Sequence, residues 1–374
     1  MSRVKASDTF SIYFHYPFCV RKCRYCNFVS FDGDQSRNGD RYFDLAMREI
    51  ELAGMYPGQG GRRADTVFLG GGTPSLMPAS GLSRLLGKIN EVFPAARDAE
   101  ISMESNPGSV DDPARRLAGY RAAGVNRIVV GIQSLDDDNL RFLGRIHDRA
   151  GAVGFLKAAM GAGFDSVGLD LIYGLPGQGL DGWRREVEEA VALGPDHVSI
   201  YCLEITPGTP LGDALAAGDF DEADGEVQGS MYAAACEILE SGGLPAYEIS
   251  NFARPGHECR HNLAYWTGGD WLGVGISACS HIDGRRWSNA RSFDDYERRI
   301  GFNVLPVVYE ERLSSVRALR ESVVLALRTA RGYAVPEYPS RSERETVLVL
   351  ESLVGKGLLA REGNRFVLPA EKRF

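Results

Sequence analysis

The chain of 374 residues lacks the features that would assign it to a membrane or to nucleic acid. No stretch reaches the ~20 consecutive apolar residues that a membrane-spanning helix needs. The first residues include Arg3 and Lys5 but not the apolar core of a secretory signal. A formal net charge of −8 leaves no general excess of Lys and Arg for binding phosphates. We therefore expect a cytoplasmic protein with no membrane span and no nucleic-acid partner.

Cysteine is scarce and unevenly placed, with seven residues in the chain. Three of them lie within eight residues, and an odd trio cannot pair internally as disulfides. We interpret this trio, which follows a predicted strand over residues 11–16, as a metal-binding loop. Its members are Cys19, Cys23 and Cys26. The others are scattered and are predicted to be small buried apolar side chains: Cys202, Cys236, Cys259 and Cys279.

Three clustered thiolates suit two kinds of metal site. Structural zinc needs a fourth protein ligand, and the nearby His15 lies within the predicted strand, where it points away from the loop. A 4Fe–4S cubane normally takes four cysteines, so three of them leave one iron without a protein ligand. That open iron is able to bind a small molecule. The pattern favours the iron–sulfur interpretation over zinc.

Strand and helix patterns alternate through the first half of the chain. The predicted strands are residues 11–16, 65–69, 100–104, 127–132, 166–172 and 197–203, and the predicted helices are residues 41–54, 79–92, 112–123, 137–143, 149–162 and 180–193. This alternation is typical of a parallel sheet, built either as a partial TIM-like barrel or as a doubly wound sheet. Candidate site residues such as Thr73, Glu104 and Asp170 lie at or near the C-terminal ends of successive strands. They favour the barrel, because a doubly wound sheet would concentrate its site at one switch point.

The alternation stops at Gly208. A helix is predicted over residues 224–243, and residues 247–286 are rich in Gly, aromatic and polar residues without a clear period. We expect that segment to lie against the open side of the barrel. Helices over residues 312–328 and 342–359, followed by a hairpin, suit a small winged-helix-like appendage in a C-terminal α+β region. The predicted units are a barrel over residues 1–210, a Gly- and aromatic-rich region over 211–300 and a C-terminal helical domain over 301–374.

Seven motifs carry a family resemblance that covers nearly the whole chain. They are the strand and Cys-x3-Cys-x2-Cys loop of residues 13–28, the Gly-rich turn of 70–75, and the stretches 104–107, 131–134, 170–176, 247–253 and 261–266. Together they resemble the radical S-adenosylmethionine (SAM) group of oxygen-independent coproporphyrinogen III oxidase and its relatives, and within it the haem-chaperone branch, HemW. The resemblance implies a (β/α)6 radical SAM barrel, a 4Fe–4S cluster on the three clustered cysteines, and SAM on the open iron. Reduction of the cluster in that family cleaves SAM to a 5′-deoxyadenosyl radical.

By that resemblance, eight residues contact SAM: Tyr13, Tyr25, Gly72, Thr73, Glu104, Gln133, Arg145 and Asp170. A carboxylate or an amide binds hydroxyl or ammonium groups, and an arginine pairs with a carboxylate. Glu104 and Asp170 lie in otherwise apolar strands, where an unpaired carboxylate is costly, so a functional or paired role is favoured. Arg145 suits a surface ion pair equally well.

The resemblance also implies a haem site. Coproporphyrinogen oxidases of the group carry a further cysteine where this chain has Phe28, so oxidative decarboxylation of a porphyrinogen is not expected. The His-Asn-x-x-Tyr-Trp motif of the HemW branch is present, and it implies that His261 ligates haem iron or holds a propionate while Tyr265 and Trp266 offer ring surface. A hydrogen-bonded structural histidine is the alternative. Cys279, where the family commonly has histidine, is a second candidate iron ligand.

We therefore expect a radical SAM haem chaperone that delivers haem to client haemoproteins and receives electrons from a donor such as flavodoxin or ferredoxin. A rival hypothesis is a catalytic radical SAM enzyme of the same group, either a class C methyltransferase or a porphyrin-modifying enzyme, which would share every cluster residue. A zinc-stabilised binding module is a third hypothesis, and iron and sulfide analysis separates it from the other two.

Overall fold

The computed structural model describes residues 9–33, 38–56 and 59–373, and Arg3 and Lys5 lie outside these ranges. The strands are β1 (Thr9–Tyr16), β2 (Arg63–Gly71), β3 (Ala95–Ser105), β4 (Arg127–Gln133), β5 (Ser166–Tyr173), β6 (His197–Cys202), β7 (Asn251–Ala253), β8 (Trp271–Val274), β9 (Cys279–Ile282), β10 (Arg285–Asn289), β11 (Val307–Arg312), β12 (Tyr333–Ala334), β13 (Ala360–Glu362) and β14 (Arg365–Val367). The helices are α1 (Gly39–Gly54), α2 (Ala79–Val92), α3 (Pro113–Ala123), α4 (Asp137–Leu143), α5 (Arg149–Gly161), α6 (Leu180–Ala192), α7 (Pro210–Ala217), α8 (Gly225–Ser241), α9 (Arg260–Trp266), α10 (Phe293–Gly301), α11 (Ser315–Leu327) and α12 (Arg341–Gly355).

The first six strands form the centre of an eleven-stranded sheet. They lie side by side in sequence order, and every neighbouring pair is parallel. Since the order never reverses, the sheet has no switch point of the doubly wound kind. It ends at β11 on one side and at β7 on the other, which makes it an open, partial barrel. The predicted fold class is confirmed.

Burial explains why these strands and helices form. All seven residues of β4 except the last are buried, as expected for a parallel strand that is covered on both faces. Two of the helices outside the sheet begin at aspartate caps: Asp136 accepts backbone hydrogen bonds at the start of α4, and Asp148 accepts one at the start of α5. The strands and helices predicted before Gly208 are therefore present, with ends that differ by a few residues.

The segment after Gly208 extends the barrel sheet at both edges. Strand β8 pairs parallel to β1, and β9, β10 and β11 follow it in antiparallel order. Strand β7 pairs antiparallel to β6 at the far edge. The sequence showed no period here because the strands from β7 to β10 are only three to five residues long.

One buried carboxyl group connects α1 to this added segment. Glu49 is 2% exposed and accepts hydrogen bonds from Gly275 N (2.8 Å), Asn289 Nδ2 (2.6 Å) and the Tyr296 hydroxyl (2.5 Å). Burial raises the pKa of Glu49 to about 7. The group is therefore largely neutral below neutral pH, and it holds three donors from the β8–α10 segment against the barrel.

The C-terminal region has a small core of its own. Helices α11 and α12 pack on a three-stranded antiparallel sheet in the order β12-β14-β13, around Val323, Leu350 and Phe366. The predicted helix and hairpin are thus present, and we call residues 315–373 the appendage. Strand β11 pairs with β10 in the main sheet. None of the described helices combines the length and the apolar character that a membrane crossing requires.

Candidate cluster and cofactor site

The cysteine loop begins directly after β1 and is closed by its own backbone. Cys19 N donates to Phe31 O (2.9 Å) and Phe31 N donates to Pro17 O (2.6 Å). The ring of His15 lies below this closure and contacts Val29 O through Nε2 at 2.8 Å. His15 therefore supports the loop from the strand side, as a structural residue.

The glycine turn after β2 brings a second strand end against this loop. Gly72 N donates to Tyr16 O (2.7 Å) and Thr73 N donates to Phe18 O (2.8 Å), so the pairing of β1 with β2 continues beyond both strands. A Cβ atom on Gly72 would lie 2.7 Å from Phe18 O and 2.9 Å from Tyr16 O. Only glycine fits this close approach of two backbones.

A cavity of about 410 Å³ opens where the six parallel strands end. All three clustered cysteines line it. Seven of the eight predicted SAM residues line it as well: Tyr25, Gly72, Thr73, Glu104, Gln133, Arg145 and Asp170. Tyr13 does not line it, because its ring lies further down β1, stacked on Phe68 at 6.3 Å with its hydroxyl 3.1 Å from His15 Nδ1. Residues far apart in sequence are thus gathered at one end of the barrel, as the strand-end pattern predicted.

The thiols of the loop are partly buried and already have polar partners. Thr73 Oγ1 donates to Cys19 Sγ at 3.6 Å, and Arg145 Nη1 donates to Cys23 Sγ at 3.2 Å. Burial raises the pKa of Cys19 and the pKa of Cys26. Buried thiolates therefore need a positively charged partner, and iron supplies that charge. The donor set fits an iron–sulfur cluster in this respect. Among the described residues, no three His, Cys, Asp or Glu side chains are grouped as one metal ion would require.

Arg145 lies inside the cavity and not at the surface. Its Nη2 donates to Asn106 Oδ1 and to Gly131 O, both at 2.7 Å. Its Nε is buried without a hydrogen-bond partner in the described structure. A buried guanidinium with one donor unused is suited to an anionic group, so the alternative of a surface ion pair does not hold.

Two carboxyl groups face the same cavity. Glu104 Oε2 accepts from Gly71 N at 3.1 Å. Burial, with a smaller contribution from Asp170, raises the pKa of Glu104 to about 8, and burial raises the pKa of Asp170 to about 6. Carboxyl groups that titrate near neutral pH are able to donate as well as accept hydrogen bonds, so the pair suits a ligand with hydroxyl or ammonium groups.

Gln133 has the left-handed backbone that side chains rarely adopt. Its φ is +74° at the end of β4, where the pairing with β5 shifts register. Such a conformation costs on the order of 1–3 kcal/mol and is found where a side chain must be aimed at a site. The amide of Gln133 is thus held in the cavity wall by the fold.

The structure adds cavity residues that the sequence interpretation did not select. Asn106 connects Arg145 to the glycine turn, because its Nδ2 donates to Thr73 Oγ1 at 3.2 Å. Tyr201 and Cys202, at the end of β6, line the cavity opposite the cysteine loop. The rule that sites collect at strand ends applies to β6 as well and would have selected both.

The His-Asn-x-x-Tyr-Trp motif lies elsewhere, on α9. His261 is 1% exposed, its Nδ1 lies 2.7 Å from Thr66 Oγ1, and its Nε2 lies 2.8 Å from the Tyr265 hydroxyl. Burial lowers the pKa of His261 to about 3, so the ring is neutral. Its backbone N donates to Glu100, which is four residues before Glu104, or about 13 Å further down β3. In this structure His261 is a hydrogen-bonded structural residue with no ring nitrogen available to iron.

Two other residues that the sequence offered for haem binding, Trp266 and Cys279, are more accessible than His261. Trp266 is partly exposed, and the guanidinium of Arg328 lies 4.9 Å from its ring centre. Cys279 was predicted to be buried, and this was wrong: it is exposed, because it stands at an outward position of the alternating strand β9. Cys259 is buried in a hydrophobic cluster, as predicted, whereas Cys202 and Cys236 are only half-buried against one.

A cysteine loop above the ends of six parallel strands is the arrangement of a radical SAM protein, and the sequence profile of the radical SAM superfamily matches residues 13–190. The chain is 37% identical over 366 residues to the heme chaperone HemW of Mycobacterium tuberculosis, which covers 97% of this chain and 92% of that protein. It is 36% identical to HemW of Synechocystis, over 92% of this chain and 84% of that one. The chain therefore belongs to the HemW family of radical SAM proteins.

A solved structure shows the same fold over the whole chain. The coproporphyrinogen III oxidase HemN of Escherichia coli, a radical SAM enzyme, superposes with a TM-score of 0.82 over 99% of this chain and 89% of that one. The sequence identity is 24%. The likeness is one of fold, and it includes the added strands and the appendage.

Proposed function

We propose that the protein is a haem chaperone of the radical SAM type, which holds a 4Fe–4S cluster on Cys19, Cys23 and Cys26, binds SAM on the open iron and delivers haem to client haemoproteins. One observation carries the cofactor part: three thiols and seven of the residues selected for SAM share one cavity. The haem part is supported by HemW relatives that match over nearly the full chain.

The residues around the cavity have separate tasks in this proposal. Arg145 and Thr73 donate to the cluster thiolates, which stabilises their charge. Glu104 and Asp170 form hydrogen bonds with hydroxyl or ammonium groups of SAM. Gly72 has no side chain, so the backbone of the glycine turn is able to approach the methionyl part of SAM closely. When bound and reduced, the cluster supplies the electron for cleavage of SAM.

Phe28 supports a carrier over a coproporphyrinogen oxidase. The resemblance places a further cysteine of those oxidases at this position, and here the side chain is an apolar ring that is 59% exposed and lines the cavity mouth. A phenyl ring cannot bind iron or donate a hydrogen atom as a thiol does. SAM and the cluster then act as a switch for transfer, and the electron donor is a small redox protein such as flavodoxin or ferredoxin.

The test uses anaerobically reconstituted protein. Haem is titrated by calorimetry while iron, sulfide and 5′-deoxyadenosine are measured, with coproporphyrinogen III as the candidate substrate. We expect close to four irons and four sulfides, saturable haem binding, and no increase of 5′-deoxyadenosine with the porphyrinogen. Haem transfer to an apo-haemoprotein is followed by its Soret band. Absence of saturable haem binding, or a substrate-dependent rise in 5′-deoxyadenosine, contradicts the chaperone proposal.

A further inference from the structure

We propose that haem binds in a groove between α9 and the appendage, with its propionates on Arg331 and Arg365 and without an iron ligand from His261. This inference rests on the proposed function and names the place of its ligand. The groove has a volume of about 440 Å³, within the range of cofactor-sized pockets. It is separate from the cluster cavity, since no described residue lines both.

Both long walls of the groove offer small and apolar surface. Leu263 of α9 and Thr267, which directly follows that helix, form one wall, and Ala326 and Ala330 of the appendage form the other. Side chains of this size leave room between the walls for the flat haem macrocycle and provide apolar surface against which it is buried. A macrocycle requires that shape, whereas a compact polar ligand would leave most of the surface unused.

Contacts within and beside the groove hold its walls together. Ala330 N donates to Tyr247 O (3.0 Å), and Glu248 forms a β-bridge with Thr329. The cation–π contact of Arg328 with Trp266 joins α11 to α9 beside the groove. The groove is therefore built before a ligand arrives, so little of the binding free energy is lost in ordering it.

The rim carries the charge that a dicarboxylate needs. Arg331 and Arg365 both line the groove, and Arg365 Nη1 donates to Arg331 O at 3.2 Å, which keeps the two residues adjacent. Two guanidinium groups match the two propionates of haem in number and charge. Glu258 also lines the groove, and its Oε2 accepts from Gly256 N at 3.0 Å. The rim keeps a net positive charge.

The groove provides no strong axial ligand. Among the described residues its lining contains no His, Cys or Met, and the hydroxyl of Tyr247 is engaged with His197 Nε2 at 2.9 Å. Haem held by ring contact and propionates alone leaves its iron open for the client's ligand. That arrangement suits a carrier that must release its cargo.

The experiment compares haem with its dimethyl ester, which lacks the propionate charges, on the full reconstituted chain. Arg331→Ala combined with Arg365→Ala should raise the Kd for haem about tenfold and leave the Kd for the ester unchanged. The matched control is Arg317→Ala combined with Arg344→Ala, which removes two exposed arginines of the same appendage outside the groove. The control should bind both ligands like the wild type.

The outcomes of this experiment test the groove assignment and the proposed chaperone function separately. If the wild type binds haem and the groove variant binds it equally well, the groove assignment is overturned while the chaperone proposal stands. Equal weakening of haem and ester by the groove variant also overturns the propionate assignment. If the wild type binds no haem, the proposed function fails and the groove assignment fails with it.

Discussion

Replacing Gly72 by alanine tests whether the glycine turn sets the position of the cysteine loop. The new Cβ would meet three backbone atoms of β1 and the loop: Phe18 O at 2.7 Å, Tyr16 O at 2.9 Å and Phe18 N at 3.0 Å. Backbone atoms cannot rotate away as the end of a side chain can. Both oxygens also accept hydrogen bonds from the turn itself, through Gly72 N and Thr73 N.

The size of the effect follows from these distances. A carbon–oxygen contact normally needs about 3.3 Å, so the turn must move by about 0.6 Å. Overpacking of this kind costs about 1–3 kcal/mol, and weakening two backbone hydrogen bonds adds about 1 kcal/mol. We expect the free energy of unfolding to fall by about 2–4 kcal/mol. Because Thr73 donates to Cys19 Sγ, the same displacement should lower the iron content.

Urea unfolding and iron analysis measure both effects. Gly87→Ala is the matched control: Gly87 lies within α2, and a Cβ there meets nothing within 4 Å. The control should gain about 0.5–1 kcal/mol from helix propensity and keep its iron. A Gly72→Ala protein that unfolds within about 0.5 kcal/mol of the wild type and holds a full cluster would refute the steric reasoning.

Three further predictions concern the cluster, SAM and pH. Cys19→Ser should lose most iron and sulfide, whereas Cys259→Ser should keep both; equal losses in elemental analysis would remove the open-iron assignment. Gln133→Ala should weaken the change that SAM causes in the electron paramagnetic resonance spectrum of the reduced cluster without removing iron, and an unaltered SAM titration would exclude Gln133 from the site. For Glu49, burial raises the pKa from 4.5 to about 7, so the folded state holds a proton that the unfolded state releases between these values. The free energy of unfolding should therefore fall as pH rises from about 5 to 7, and Glu49→Gln should flatten this slope; an unchanged slope in urea titrations would assign the pH dependence to other groups.

The barrel could be predicted because its signals are local and long. The period of residues 79–92 identified α2 with both of its ends, and the apolar run at residues 127–132 identified β4. Strands β7 to β10 were missed, because three to five residues carry no measurable period and their pairing partners are distant in sequence.

The candidate site was likewise predictable where it depends on one stretch of sequence, and not where it depends on contacts between distant residues. The three-cysteine loop is a single stretch of sequence, and its chemistry could be deduced directly. The burial of His261 could not, because it depends on Thr66, which is 195 residues away along the chain. The position of Arg145 in the cavity likewise depends on a hydrogen bond to Asn106, which lies on a different loop. A motif indicates which side chains are present, whereas tertiary contacts decide which of their atoms remain available.

Helix α9 is short, and its two faces contact different parts of the protein. His261 and Tyr265 are four residues apart and share the face that closes the lower end of the barrel, where the His261 ring lies 5.1 Å from Phe68. Leu263 and Thr267 share the opposite face and belong to the groove. A seven-residue helix has no internal hinge, so it moves as one rigid rod. An occupant that displaced Leu263 would strain the hydrogen bond from His261 to Thr66 on β2, the strand that carries the glycine turn at its upper end. If haem binds in the groove as proposed, its binding would be linked mechanically to the glycine turn beside the cysteine loop, through the lower end of the barrel.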